Sequence, residues 1–265
     1  MTSENERSLK AAHLIWDCWQ AGTTMERLPT ELSPQTRTEG YAIQAHYAQF
    51  SGLPLFGWKI AATSAAGQNH IGVSGPMAGR LLQERVFQPN QILEFGHNRM
   101  AVAEAEFAFC LGKRLTPQDA EFSLEEVLAA VDTLHTGIEF PDSRFADFAN
   151  VGEEHLIADN ACSHQFVIGP AMPDAWRSID LSEHAVTIGI SGGQTLSGSG
   201  ANVLGDPRIA LTWLVNELSS HGIPLEAGAV VTTGTSTTPI AIDAGNTVTA
   251  DYGTLGQLQA TFASV

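Results

Sequence analysis

The sequence predicts an α+β fold in which N-terminal helices precede a mostly β C-terminal part. Apolar residues recur at helical spacing over residues 8–21, and Ser33 followed by a proline is typical of the start of a second helix. Gly52 marks the end of that helix, so the helical part spans about 1–52. From residue 181 onward, short alternating runs separated by glycine-rich turns indicate strands, with one helix between Asp206 and His221.

The composition excludes several classes of protein. The chain has 13 basic and 29 acidic residues, and its net charge of −16 argues against a nucleic-acid partner and against an anionic membrane surface. The N-terminus is polar, and nothing approaches the roughly 18 apolar residues of a membrane span. The 3 cysteines have no metal-ligand spacing and fit reduced thiols. We expect one cytoplasmic domain over 1–265.

A strand-like run at residues 53–62 contains Lys59 between apolar neighbours. Because the sequence contains only two other lysines, Lys10 and Lys113, lysine is not used here as a general solubiliser. Lys59 either reaches the sheet edge or is partly buried with an anionic partner. Burial should lower its pKa, which suits a group that moves protons near neutral pH.

Residues 63–76 are small, polar and glycine-bearing. Such a segment is typical of a loop or short helix that presents backbone N–H groups or moves as a lid. His70 in this segment is a candidate acid or base, with an ordinary surface histidine as the alternative.

Residues 100–111 indicate a strand with one apolar face. The opposite face carries Glu104 and Glu106, with Cα atoms roughly 7 Å apart. Two anions among apolar neighbours need a positive charge, and oxygen ligands favour Mg²⁺ or Mn²⁺. The alternative is a half-solvated strand with two surface glutamates.

Two further motifs follow this strand. Ser123 opens a capping box for a helix that we expect to reach about His135, before a short strand at 136–140 that holds Glu139. In the next turn, Asp142 and Arg144 are expected to pair with each other.

Hydroxyl-bearing residues crowd the turn at 232–239. Such a turn can bind a carboxylate through its N–H and O–H groups, or it can be a plain loop.

Four short motifs in order resemble one family. They are Gly-Trp-Lys-Ile at 57–60, Glu-Ala-Glu-Phe-Ala-Phe at 104–109, Glu-Phe-Pro-Asp-Ser-Arg at 139–144 and Asp-Asn-Ala-Cys-Ser at 159–163. The sequence is similar to the 2-keto-4-pentenoate hydratase / 2-oxo-3-enedioate decarboxylase family of the fumarylacetoacetate hydrolase superfamily. The resemblance implies a fumarylacetoacetase C-terminal-like mixed β roll, assembled into homo-oligomers, with a pathway aldolase or decarboxylase as a candidate partner.

The resemblance also implies the site. Mg²⁺ or Mn²⁺ is held by Glu104, Glu106 and Glu139, and the glutamate at 139 favours the hydratase/decarboxylase branch over the hydrolase branch. Lys59 and His70 would be catalytic. The implied substrate-binding residues are Ile71, Arg80, Ser163, Thr235 and Ser236, with Arg80 in a loop near the far end of a small 2-oxo or 2-hydroxydienoic acid.

The implied activity is a metal-dependent hydratase that adds water to a 2-hydroxy-2,4-dienoate and gives a 4-hydroxy-2-oxo acid. The alternatives are a 2-oxo-3-enedioate decarboxylase and a C–C hydrolase of acylpyruvates. Met77 is a departure, because many relatives carry an acidic residue there and a thioether cannot exchange protons.

Overall fold

The computed structural model describes residues 4–264, which contain seven α-helices and thirteen strands. The helices are α1 Glu4–Ala21, α2 Arg37–Gln44, α3 Tyr47–Ser51, α4 Ala65–Ile71, α5 Leu124–Leu128, α6 Glu153–Ala158 and α7 Pro207–Ser220. The strands are β1 Leu55–Ala61, β2 Met77–Leu82, β3 Val86–Phe87, β4 Ile92–Leu93, β5 Val102–Leu111, β6 Val131–Phe140, β7 Gln165–Ile168, β8 Ala185–Ile190, β9 Thr195–Ser199, β10 Val230–Thr235, β11 Ile240–Ala241, β12 Thr247–Asp251 and β13 Gln257–Phe262.

The strands form two sheets. The larger has the order β2-β1-β10-β5-β6-β7-β3, with β11 paired to β5, and the smaller has the order β4-β13-β12-β8-β9. Most pairs are antiparallel, but β10 lies parallel to β1, β3 to β7 and β4 to β13. The predicted α+β architecture with N-terminal helices is therefore confirmed. Within residues 4–264, no helix is both long and apolar enough to cross a membrane.

The N-terminal helices differ in detail from the prediction. The second helix is capped by Thr36, whose side chain accepts from the backbone N–H of Glu39, and not by Ser33. Ser33 instead donates its hydroxyl to the carbonyls of Leu28 and Pro29 in the preceding turn. The predicted second helix is interrupted between α2 and α3. As predicted, its last turn ends at Gly52, which has a φ of 70°.

The predicted helix from Ser123 to His135 is wrong. The capping box is present, but it starts a helix of only 5 residues, α5. β6 then begins at Val131 and pairs along β5 from Leu111 to Glu104. Valine and threonine in β6 suit a strand, and the long ladder with β5 overrides the weak local helical preference. The same ladder sets Glu139 directly opposite Glu104.

β2 was not predicted, and the expected loop at Arg80 is wrong. The six residues of β2 are buried throughout, so they show none of the alternation that marks a half-exposed strand. β2 pairs antiparallel with β1, with Arg80 opposite Trp58 and Gly79 opposite Lys59.

Candidate active site

A cavity of about 910 Å³ opens at the end of the larger sheet, between α4 and the turn after β10. Lys59 and Glu104 line it, together with Ala161 and Cys162. Much of the remaining wall is apolar and is formed by Ile71, Met100, Val102, Phe148, Leu204 and Pro239. The cavity thus combines a small charged region with a large apolar one.

Three carboxylates meet at the charged region. Glu104, Glu106 and Glu139 each place a carboxylate oxygen within 4.8 Å of the others. Glu106 and Glu139 are fully buried, and Glu104 is half-buried. Strand alternation places the first two on the same face of β5, and the β5–β6 register brings the third beside them.

Lys59 supplies the positive charge within this cluster. Its ammonium lies 3.1 Å from Glu139 Oε1 and donates to the carbonyl of Ala161 at 3.0 Å. The side chain is only 2% exposed, so it is buried with an anionic partner and does not reach the sheet edge.

Glu106 is fixed by the first part of the hydroxyl-rich segment 232–239, which is the end of β10 and not a turn as predicted. Thr232 donates its hydroxyl to Glu106 Oε2, and the Gly234 N–H donates to the same oxygen at 2.8 Å. Gly234 has a φ of 101°, and a Cβ at this position would lie 2.2 Å from the Thr63 hydroxyl. The end of β10 therefore binds one of the protein's own carboxylates, a role that sequence reasoning missed.

The electrostatics of the cluster are unbalanced, because three carboxylates face one ammonium. Burial, together with the charge of Glu139, raises the pKa of Glu104 to about 7. Burial also raises the pKa of Glu106 and Glu139. For Lys59, burial alone would lower the pKa, but the three carboxylates outweigh it and raise the pKa. The prediction that the pKa of Lys59 is lowered is therefore wrong for the protein without a bound cation.

These carboxylates suit a divalent cation. Glu106 Oε1 and Glu139 Oε2 are buried and accept no hydrogen bond from any donor within residues 4–264. Buried unsatisfied anions are costly, and a hard cation satisfies several oxygens at once. Glu104, Glu106 and Glu139 are the residues that could hold it.

Some of the other predicted residues lie at this cavity. Ile71, Thr235 and His70 line it. His70 is exposed on α4, a short helix capped by Ser64 at one end and by Gly72 at the other, and its ring lies 6.3 Å from that of Phe148.

Arg80, Ser163 and Ser236 do not line the cavity. Arg80 is 6% exposed, stacks 4.6 Å from the Trp58 ring and donates to the Gln44 side chain. Ser163 donates its hydroxyl to the Arg80 carbonyl, and Ser236 is fully buried. Because β2 is a buried strand, Arg80 lies between the sheet and the helices, and the structure does not bring it to the substrate cavity.

Arg144 differs from its expected pairing. It forms its ion pair with Asp159, and it contacts Asp142 only through the backbone carbonyl, at 2.9 Å. The Asp142 carboxylate accepts from the backbone N–H groups of Arg99 and Met100.

A family model described as fumarylacetoacetate (FAA) hydrolase C-terminal matches residues 60–263, a range that includes the three carboxylates and begins directly after Lys59. The chain belongs to the fumarylacetoacetate hydrolase family. The predicted resemblance is confirmed.

Within this fumarylacetoacetate hydrolase family, the chain is similar to two groups of named enzymes. It is 32% identical to a 2-keto-4-pentenoate hydratase from Burkholderia vietnamiensis over 99% of both chains. It is 31% identical to a 4-oxalocrotonate decarboxylase from Pseudomonas sp over 78% of both chains. The solved structure of a 4-oxalocrotonate decarboxylase from Pseudomonas putida G7, complexed with magnesium and adipate, superposes with a TM-score of 0.88 at 25% identity, covering 98% of this chain and 99% of that one.

Proposed function

We propose that the protein is a metal-dependent hydratase, a carbon–oxygen lyase that adds water to a 2-hydroxy-2,4-dienoate and gives a 4-hydroxy-2-oxo acid. The observation that carries the proposal is the cluster of three carboxylates and Lys59 at one end of a largely apolar cavity. The similarity to a 2-keto-4-pentenoate hydratase over 99% of both chains supports it.

Glu104, Glu106 and Glu139 would hold one Mg²⁺ or Mn²⁺. When bound, the cation acts as a Lewis acid toward the 1-carboxylate and the 2-oxygen of the substrate. The magnesium in the structure of the related decarboxylase supports this assignment. Thr232 and Gly234 fix the orientation of Glu106, as hydrogen-bonded partners commonly do for metal-ligating carboxylates.

Lys59 is the group that we assign to proton transfer at the 2-oxygen. Conversion of the dienol to its 2-oxo form removes the 2-hydroxyl proton and adds a proton at C5. The oxygen of water then bonds to C4 and loses one proton, and a proton is added at C3, so the sum of the steps is the addition of one water molecule. The three carboxylates raise the pKa of Lys59. A cation beside Lys59 would offset their charge and so lower that pKa toward neutral pH.

The apolar wall supports a substrate with an uncharged far end. Among the described residues that line the cavity, Lys59 is the one lysine or arginine. A second carboxylate beyond the acidic cluster would therefore be buried without a cation, which is unfavourable. His70 and Thr235 are the lining groups proposed to contact the rest of the substrate and the attacking water, beside Ile71.

A 2-oxo-3-enedioate decarboxylase is the second candidate. It is supported by the TM-score of 0.88 with a 4-oxalocrotonate decarboxylase. An apolar environment also disfavours an ionised distal carboxylate, which would promote its loss as CO₂.

One experiment separates the candidates. The purified protein is incubated with 2-hydroxypenta-2,4-dienoate, a 2-oxo-3-enedioate and an acylpyruvate, with Mg²⁺, with Mn²⁺ and with a chelator. We expect metal-dependent loss of the dienol chromophore and formation of the 4-hydroxy-2-oxo acid without CO₂. Release of CO₂ from the enedioate with no dienoate turnover would assign a decarboxylase, and cleavage of the acylpyruvate alone would assign a hydrolase. No metal-dependent turnover of any of the three would contradict the proposal.

The family resemblance further supports a homo-oligomer in the cytoplasm, in a pathway that includes an aldolase or decarboxylase. Light scattering of the purified protein tests the oligomeric state directly.

A further inference from the structure

The segment Asn160–Cys162 has an unusual backbone beside the cavity. Its three residues have φ values of 59°, 51° and 59° in succession, and none of them is glycine. Residues other than glycine adopt this left-handed conformation singly, because the Cβ approaches the following carbonyl. Such a backbone persists only where its surroundings determine it, and it concentrates at functional sites.

Asp159 and Arg144 fix one side of this segment. The Asp159 carboxylate accepts from the Ser143 hydroxyl at 2.6 Å, from the Arg144 backbone N–H at 3.0 Å and from Arg144 Nε. The same guanidinium donates to the carbonyls of Asp159 and Ser163, the residues that flank the segment. One buried cation therefore holds both ends of the left-handed turn.

Asn160 fixes the other side. Its Nδ2 donates to the Arg80 carbonyl at 2.8 Å, and its Oδ1 accepts from the Arg80 N–H at 2.6 Å. The neighbouring Gly79 allows this close approach, because a Cβ there would lie 2.3 Å from the Asn160 carbonyl. The segment is thus attached to β2 as well as to Arg144.

The segment directs the Ala161 carbonyl at Lys59. This carbonyl accepts from Lys59 Nζ at 3.0 Å, and Glu139 at 3.1 Å is the other partner of the ammonium among residues 4–264. A lysine side chain is flexible, so an acceptor and an ion-pair partner in different elements define the position of Nζ far better than one contact does.

We propose that Asp159 and Asn160 are positioning residues that hold the left-handed segment so that the Ala161 carbonyl fixes the Lys59 ammonium at the cavity. The proposal rests on the proposed function, because it concerns the group assigned to proton transfer. It gives a role to the motif at 159–163, which forms no part of the carboxylate cluster.

A double-mutant cycle tests this role. Asp159→Asn preserves the shape of the side chain but removes its charge. It should lower kcat by about 10- to 100-fold, the order expected for a displaced catalytic group, with KM nearly unchanged. In the Lys59→Met background the same change should have almost no further effect, because residues that act as one unit are non-additive. The Mn²⁺ affinity should stay at the wild-type value in both backgrounds.

Asp142→Asn is the matched control, because Asp142 also contacts Arg144, through its backbone carbonyl, while its carboxylate binds only the N–H groups of Arg99 and Met100. We expect wild-type kinetics for it. If Asp159→Asn does not fold, as judged by circular dichroism, Asn160→Gly replaces it in the cycle, since glycine adopts the left-handed conformation and loses only the ties to Arg80.

An equal fall in kcat with and without Lys59, or a wild-type kcat for the folded variant, overturns the positioning role. The cycle uses whichever substrate the wild type converts. A wild type that converts none contradicts the proposed function, whereas an additive cycle contradicts the positioning role alone.

Discussion

The protein buries two ionic clusters that differ in how completely they are satisfied. Around Arg144, the guanidinium and the Asp159 carboxylate are matched in charge, and Ser143 and backbone groups complete their hydrogen bonds. Around Lys59, three carboxylates share one ammonium, and three of their oxygens accept no hydrogen bond within residues 4–264. Both clusters are buried apart from Glu104, which is half-buried.

The difference shows how to tell a structural cluster from a binding cluster. A balanced pair stabilises the conformation around it and has no capacity left for a ligand. An excess of buried anions is unfavourable in the isolated chain and becomes favourable when a cation binds. Each prediction below tests one side of this contrast.

Glu106→Gln should have the largest effect. It removes a ligand charge while keeping the shape of the side chain, so metal-dependent turnover should fall to background. The thermal midpoint of the metal-free protein should be unchanged or higher, since the change relieves repulsion among buried carboxylates. Steady-state kinetics and differential scanning calorimetry with a chelator measure the two quantities.

The exposed Glu125 on α5 provides the control, because Glu125→Gln removes the same charge without touching the cluster. Full Mg²⁺-dependent activity in Glu106→Gln would show that the carboxylates do not bind the cation.

Lys59→Met should lower kcat by roughly 10²- to 10⁴-fold, the usual loss for a general acid or base. Metal binding should be retained and KM should change little, because methionine keeps most of the bulk. Titration calorimetry with Mn²⁺ and initial-rate kinetics check this. Turnover within a few-fold of wild type in a folded, metal-binding variant would contradict the catalytic role.

Arg144→Met should destabilise the protein by about 3–5 kcal/mol, because it leaves the buried Asp159 without its partner. Burial raises the pKa of Asp159 to about 6 even beside Arg144, so the carboxylate is ionised at neutral pH. Urea unfolding at pH 7.5 measures the loss. A free energy of unfolding close to that of wild type would mean that the two clusters do not differ as proposed.

A pH dependence should be the smallest effect. The pKa of Glu104 is about 7 in the folded protein and 4.5 for an unperturbed side chain, so the folded state binds more protons between these values. Without metal, the free energy of unfolding should rise as the pH falls through 7, with the full gain below about 4.5. Cation affinity should fall over the same range, because the ligands must be deprotonated.

Thermal unfolding with chelator at several pH values measures this trend. The Glu104→Gln side chain cannot titrate, so this variant should lose part of the pH dependence of stability. An unchanged pH dependence in that variant would assign the titration to other groups.

Much of the site could be predicted from local patterns. Strand alternation placed Glu104 and Glu106 on one face, and the scarcity of lysine singled out Lys59. The position of Glu139 opposite Glu104 could not be derived locally, because it depends on the register of β6, whose first half was predicted as a helix.

The errors have a common physical cause. β2 and the first half of β6 are strands because of the partners that they pair with, and a local sequence pattern does not contain those partners. The placement of Arg80 in a loop came instead from the family resemblance, and it is wrong because Arg80 lies in β2. The attachment of Glu106 to Thr232 and Gly234 likewise depends on β10 lying beside β5.

The strand order also determines when the site can form during synthesis. β10 lies between β1 and β5 in the larger sheet, although it follows both of them by more than a hundred residues in the chain. Lys59 and Glu106 therefore cannot take their final positions until residues 230–235 have left the ribosome. Non-local pairing of this kind slows folding. The β5–β6 pair can bring the three carboxylates together earlier, but the complete site, with Lys59 beside them and Glu106 fixed by Thr232 and Gly234, is among the last features of the protein to assemble.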